Sequence, residues 1–209
     1  MFHVKHEGWP EEPHLDSDQR DRLAEFERLL LEWSPRLGLV ATGDLEDLHA
    51  RHVLDCLRGA TQVGAQDREV VDLGSGAGLP GLVVAVACPW ASLTLAEARS
   101  KRAAFIELAI DRLEVKNARV HAGRVEELAN SDVKFDLGLA RAFAPPAGSW
   151  ESAFPLLAEH GRLLYWAGTT FEAGAVPDSV RTELIVEHLD AVGNPALERF
   201  GPLVIMCRQ

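Results

Sequence analysis

The chain has 209 residues, 47% of them apolar and 25% charged, and carries a formal net charge of −11. That length gives one sizeable domain with room for a small extension, and the composition is that of a soluble globular protein. Apolar runs stay short of the roughly 20 residues of a membrane helix and the opening residues lack the apolar stretch of a signal peptide, so no membrane span and a cytoplasmic location are expected.

Three cysteines, Cys56, Cys88 and Cys207, are widely spaced and odd in number. They read as reduced thiols, not as a disulfide frame or a metal knuckle, and no metal is expected. The acidic balance argues against a large nucleic-acid partner, because phosphate contacts need Lys and Arg. The distribution of charge argues the other way. Arg99, Lys101, Arg102, Arg112, Lys116, Arg119 and Arg124 all fall within residues 95–125. They suit a local positive face, and equally a solvated helix face with balanced pairs.

Residues 1–16 hold Pro10, Pro13 and several acids without periodicity, and a mobile N-terminus is expected. His3, His6 and His14 lack metal-ligand spacing. Residues 17–66 read as a helical extension. Leu23, Phe26, Leu29, Leu30 and Trp33 share one helical face over residues 18–33, and Pro35 is the expected stop. Asp44 is the expected N-cap of a second helix running to about Leu57. Residues 67–209 then alternate. Strands are expected at 69–73, 92–97, 117–121, 135–140, 161–166, about 181–188 and 202–207. Helices are expected at about 79–88, 99–113, 124–129 and 149–158. The pattern implies an α/β fold with a seven-stranded, mostly parallel sheet closed by a C-terminal antiparallel hairpin.

The most specific local signal lies at residues 70–81. An apolar strand ends in Asp72 and opens into a turn with Gly74, Ser75, Gly76, Gly78, Leu79 and Gly81. Glycines there allow positive φ and a close approach of backbone N–H groups to a ligand. A pyrophosphate gains nothing from a neighbouring carboxylate, whereas S-adenosylmethionine (SAM) carries an ammonium and a sulfonium that suit Asp72. The turn is therefore read as a SAM cradle, and the Rossmann-like sheet as that of a class I SAM-dependent methyltransferase. Glu97 ends the second strand, where a carboxylate accepts hydrogen bonds from ribose hydroxyls. Val125 and Glu126 follow the third strand, beside the adenine. Arg141 and Phe143 sit at the carboxyl end of the fourth strand, placed to hold a base or phosphate. The chain has Arg141-Ala142-Phe143 where amine methyltransferases carry an Asn/Asp-Pro-Pro-aromatic motif. A ring nitrogen such as guanine N7, which has no proton to lose, fits this better. Arg51, His52 and Asp55 are expected to line the substrate mouth, His52 and Asp55 being i,i+3 neighbours. Lys101, Arg102 and Arg124 are the expected phosphate contacts, and Arg141 and His52 the expected catalytic residues.

These residues together resemble the bacterial 16S ribosomal RNA guanine-N7 methyltransferases, the RsmG (GidB) family. The resemblance runs from about Leu30 to Gly168. It is carried by Leu31-Glu32-Trp33, Arg51 to Leu57, the Asp72–Gly81 turn, Lys101-Arg102 with Phe105, Leu113 with Asn117, Arg124 to Glu126 and Arg141 to Phe143. It implies SAM contacts at Gly74, Leu79, Val125, Glu126 and Arg141. The implied substrate is a guanine in the 530 loop of small-subunit ribosomal RNA, free or in the 30S particle, and a monomer is expected. The chain departs from the family pattern at Ser34, at Gly38 and Val40, and at Ala167. Two other readings fit the same residues: a diverged paralogue acting on a small molecule or another RNA, and a catalytically weak SAM- or RNA-binding protein.

Overall fold

The computed structural model describes residues 15–176, 180–185 and 200–208. The expectation for residues 1–14 and the end of the strand expected at 181–188 lie outside these. Leu15 is buried, and Asp16 begins the first helix with a capping box. Its carboxylate accepts from the Gln19 N–H at 2.8 Å, while the Gln19 side chain accepts from the Asp16 N–H at 2.9 Å.

Helix α1 spans Ser17–Leu37 and buries the face carrying Leu23, Phe26, Leu29 and Leu30. Pro35 does not end it. Proline removes one N–H from the ladder, and on the last turn this costs only a single bond to an outer carbonyl. The stop is Gly38, whose φ of 58° supplies the left-handed cap and whose N–H donates to the Ser34 carbonyl. The expected Asp44 N-cap is also corrected. Thr42–Asp44 is a short 3-10 turn, His49–Val53 is one π turn, and the α-helix proper, α2, spans only Leu54–Ala60. Asp44 spends its carboxylate on the side chains of Arg51 and His52 rather than on backbone N–H groups.

The strands are β1 (Glu69–Leu73), β2 (Ser92–Ala96), β3 (Ala118–His121), β4 (Phe135–Arg141), β5 (Leu157–Trp166), β6 (Val180–Ile185) and β7 (Leu203–Arg208). Between them lie α3 (Gly81–Ala87), α4 (Ser100–Arg112) and α5 (Pro146–Ala153). The helix expected at about 124–129 is instead a 3-10 segment, Val125–Asn130. The sheet order is β3-β2-β1-β4-β5-β7-β6. β1 to β5 run parallel; β7 is antiparallel to both β5 and β6. The expected hairpin is thus present, with β7 inserted beside β5 and β6 outside it.

Because the chain builds outward from β1 toward β3, then restarts on the other side at β4, the carboxyl ends of β1 and β4 flank the switch point where ligands bind in open α/β sheets. Asp72 stands in register with Leu139, and Arg141 with Trp166. The N-terminal helices have no separate core: Leu23, Phe26, Leu30, Val53 and Leu57 pack in one cluster with Val83, Leu93, Leu95 and Phe105. Among the described residues, no helix is long and apolar enough to cross a membrane, and no group of His, Cys, Asp and Glu could hold a metal ion.

Candidate active site

On the β1–β2 side the site is built by backbone. Gly74, Gly76 and Gly78 all have positive φ, so the chain leaves β1 in a run of left-handed turns. Ser75 ties the turn down: its N–H donates to the Ala96 carbonyl at 2.9 Å and its hydroxyl to the Asp72 carbonyl at 3.2 Å. Glu97 fastens the turn from the neighbouring strand, accepting from the Gly76 N–H at 2.8 Å and from the Arg99 N–H at 2.7 Å. Leu79 is buried.

Asp72 is fully enclosed. One oxygen accepts from the Gly81 N–H at 3.1 Å, an approach that a Cβ at Gly81 would prevent, since it would fall 2.5 Å from that oxygen. Burial pushes the Asp72 carboxyl up to about 7, against the opposing pull of Ser75 and Gly81. Its other oxygen has no hydrogen-bond partner among the described residues. The turn is not overpacked: among the described residues a Cβ on Gly76 would make only ordinary contacts, with the Gly74 carbonyl and the Arg102 guanidinium at 3.7 and 3.9 Å. A pinned acid at Glu97, a buried acid with one unpartnered oxygen at Asp72 and a glycine turn that leaves Gly76 uncrowded fit a nucleoside cofactor bearing positive charge.

On the β4 side the site is built by side chains. The Arg141 Nε donates to Asp55 Oδ2 at 3.0 Å, and its Nη2 meets His52 Nδ1 at 2.8 Å. The structure therefore joins Arg51, His52 and Asp55, neighbours in the N-terminal segment, to Arg141 some 86–90 positions later. Asp55 is bound on its other oxygen by Arg58 Nη2 at 2.7 Å, and Arg58 Nη1 donates to the Gly201 carbonyl at 2.8 Å. The Trp166 indole N–H donates to the Asp55 carbonyl at 3.0 Å. Arg58, Asp44 and Trp166 escaped the sequence reading. The i,i+3 spacing of Asp55 and Arg58 was the available signal for the first; Asp44 and Trp166 gave none. Phe143 closes over the glycine turn, its ring 2.6 Å from where a Cβ on Gly74 would stand.

The remaining expected residues divide. Val125 is buried in a cluster with Val71 and Ala96, behind the strand ends. Glu126, Lys101 and Arg124 are exposed. Arg102 is committed within the protein, donating to the Gly38 carbonyl at 2.7 Å and so joining α4 to the end of α1.

Comparison with known proteins bears on this geometry. A family described as rRNA small subunit methyltransferase G matches residues 19–188. A Ribosomal RNA small subunit methyltransferase G of Neisseria gonorrhoeae is 35% identical over 203 residues, covering 94% of this chain and 93% of that protein. One from Ralstonia nicotianae is 34% identical over 191 residues, covering 87% and 85%. Among solved structures, a variant of MtNAS in complex with S-adenosylmethionine superposes with a TM-score of 0.59 at 13% identity, covering 91% of this chain and 76% of that one, which is a likeness of fold.

Proposed function

The chain belongs to the rRNA small subunit methyltransferase G family, and on that premise we propose that it transfers a methyl group from SAM to N7 of a guanine in the 530 loop of 16S ribosomal RNA. The observation that carries the reading is the meeting of two walls at the switch point of the sheet. One is the glycine turn fastened by Glu97, and the other is Arg141 held at the end of β4.

Bound SAM supplies an activated methyl group on a positively charged sulfur. The protein's part is to bind and align. Glu97, immobilised by two backbone N–H groups, keeps lone pairs for ribose hydroxyls. Asp72 offers a buried carboxyl whose ionised form gains from a nearby cation. Guanine N7 is already a nucleophile with no proton to remove, so the chain needs no base, and orientation supplies the acceleration. The Arg141 fork is anchored through Nε and Nη2 on Asp55, His52 and the Arg51 carbonyl, which leaves Nη1 to donate to a base edge or phosphate. Exposed Arg99, Lys101 and Arg124 border the same end of the sheet and suit an RNA backbone despite the acidic chain.

The test is transfer of labelled methyl from SAM to purified small subunits, with mapping of the modified nucleotide. Label on a single guanine N7 is expected. Binding of SAM without transfer to any small-subunit RNA would replace the ribosomal reading with that of a diverged paralogue.

A further inference from the structure

Arg141 is held at three points. Besides Asp55 on Nε, its Nη2 contacts His52 Nδ1 at 2.8 Å and the Arg51 carbonyl at 3.4 Å. A guanidinium only donates, so the Nδ1 facing it must carry a lone pair. On the other side of the ring, His52 Nε2 faces Asp44 Oδ2 at 3.3 Å, and a carboxylate only accepts. Both neighbours therefore demand the same imidazole: neutral, with its proton on Nε2. The second oxygen of Asp44 pairs with Arg51, the residue whose carbonyl makes the third contact.

We infer that His52 serves methyl transfer as a neutral hydrogen-bond acceptor that positions Arg141, its tautomer set by Asp44, and not as a general base. The inference rests on the role proposed for Arg141. A base needs a free lone pair to collect a proton, and the lone pair of this ring is spent on a guanidinium. The charged groups around the ring agree. His52 faces Arg141 from β4, Asp44 from the turn ahead of its own segment and Asp55 from α2, with Arg51 beside it. Burial and the Arg141 charge lower its pKa, more than Asp44 and Asp55 raise it, so the ring is neutral at pH 7. Protonation at Nδ1 would set an N–H against the guanidinium and release Nη2. Asp44 is thus a positioning residue at one remove, acting through both His52 and Arg51.

Single-turnover methyl transfer to small subunits at saturating SAM, followed from about pH 5 to 8, tests this. His52→Ala should slow transfer about tenfold or more, the loss of one hydrogen bond to a charged group. His52→Asn keeps an oxygen that can accept from Nη2 and has nothing to titrate. It should recover most of that loss and flatten the acid limb of the pH profile. Asp44→Ala should slow transfer and move the acid limb to lower pH, because His52 loses an anion that favours its protonation. An Asn variant as slow as the Ala variant, or an acid limb unmoved by Asp44→Ala, would overturn the inference. Arg141→Ala is the control for the premise. Normal transfer by that variant would remove the Arg141 reading, whereas slow transfer with normal His52→Ala and Asp44→Ala proteins would remove only the positioning role.

Discussion

The two walls of the crevice are made by different means. Between β1 and β2, the chain folds back on itself within about ten residues, and backbone N–H groups do the fastening: Gly76 to Glu97, Gly81 to Asp72, Ser75 to the end of β2. At the end of β4, almost nothing is local. Asp44, Arg51, His52, Asp55 and Arg58 converge from the N-terminal segment on an arginine some 83–97 positions further along. A wall made of backbone N–H groups pinned by two acids, Asp72 and Glu97, fails when a glycine is filled or one of those acids is removed. A wall made of ionic side chains tolerates local backbone adjustment and fails when a charge or a tautomer changes. Changes to the first wall, a filled glycine or a lost Glu97, should therefore strike cofactor binding, and removal of a charge from the second should strike transfer and its dependence on pH.

The largest effect expected is that of Gly76→Val. The φ of 58° is costly for a branched side chain, and the added atoms stand on the face of the turn proposed to carry the cofactor. SAM binding should fall below detection by calorimetry in a protein that still folds. Unchanged affinity would place the cofactor elsewhere.

Next is the buried acid of the same wall. The Asp72 carboxyl rises from 3.8 to about 7 on folding, so the folded chain binds its proton more tightly than the unfolded one. Its contribution to stability is fully present below about pH 4 and is lost as pH rises through about 7. Asp72→Asn cannot ionise, and its stability relative to the parent should improve across that window by at most about 4 kcal/mol. Thermal unfolding without SAM at the two ends of the window measures it; a pH-independent difference would mean that Asp72 is ionised throughout. His52 has the opposite sign. Its lowered pKa makes it stabilising above about pH 6.5, and that contribution is lost as pH falls through the folded value.

Glu97→Ala should weaken SAM by about 1.5–3 kcal/mol, the range for hydrogen bonds to a charged group. A loss of a few tenths would reduce Glu97 to a brace for the turn. The smallest effect is expected on the exposed rim. Lys101→Gln with Arg124→Gln should lower RNA affinity and cut its salt slope by about 1–2 units, leaving SAM affinity unchanged. Arg102 does not belong in that pair, because its guanidinium already closes the end of α1. An unchanged slope would move the RNA face away from this rim.

The contrast between the walls also explains what the sequence disclosed. The glycine turn, Glu97 and the five parallel strands were legible because each depends on residues close together: apolar runs for buried strands, glycines for the turn, an acid at a strand end. The failures came where side-chain partners and caps, some nearby and some across the fold, outbid the composition of the immediate segment. Asp44 looked like an N-cap by composition, and Arg51 and His52 took its carboxylate instead. Pro35 looked like a stop, yet the left-handed cap available at Gly38 let the helix run on. Arg58 drew no expectation from its sequence; it is buried between Asp55, three residues earlier, and the Gly201 carbonyl across the fold. Arg102 was legible as a cation and not as a cation already engaged.

The most direct measurement is the turnover of Arg141→Ala on small ribosomal subunits, alongside thermal unfolding of the same protein. Arg141 is where the two walls and the substrate should meet. Its removal should cost about 2–4 kcal/mol in transition-state free energy, comparable to the loss of one preorganised charged contact, with the fold retained. Arg141→Lys should restore little, since a point charge does not replace the fork. A folded Arg141→Ala protein that methylates small subunits at the parent rate would contradict the account.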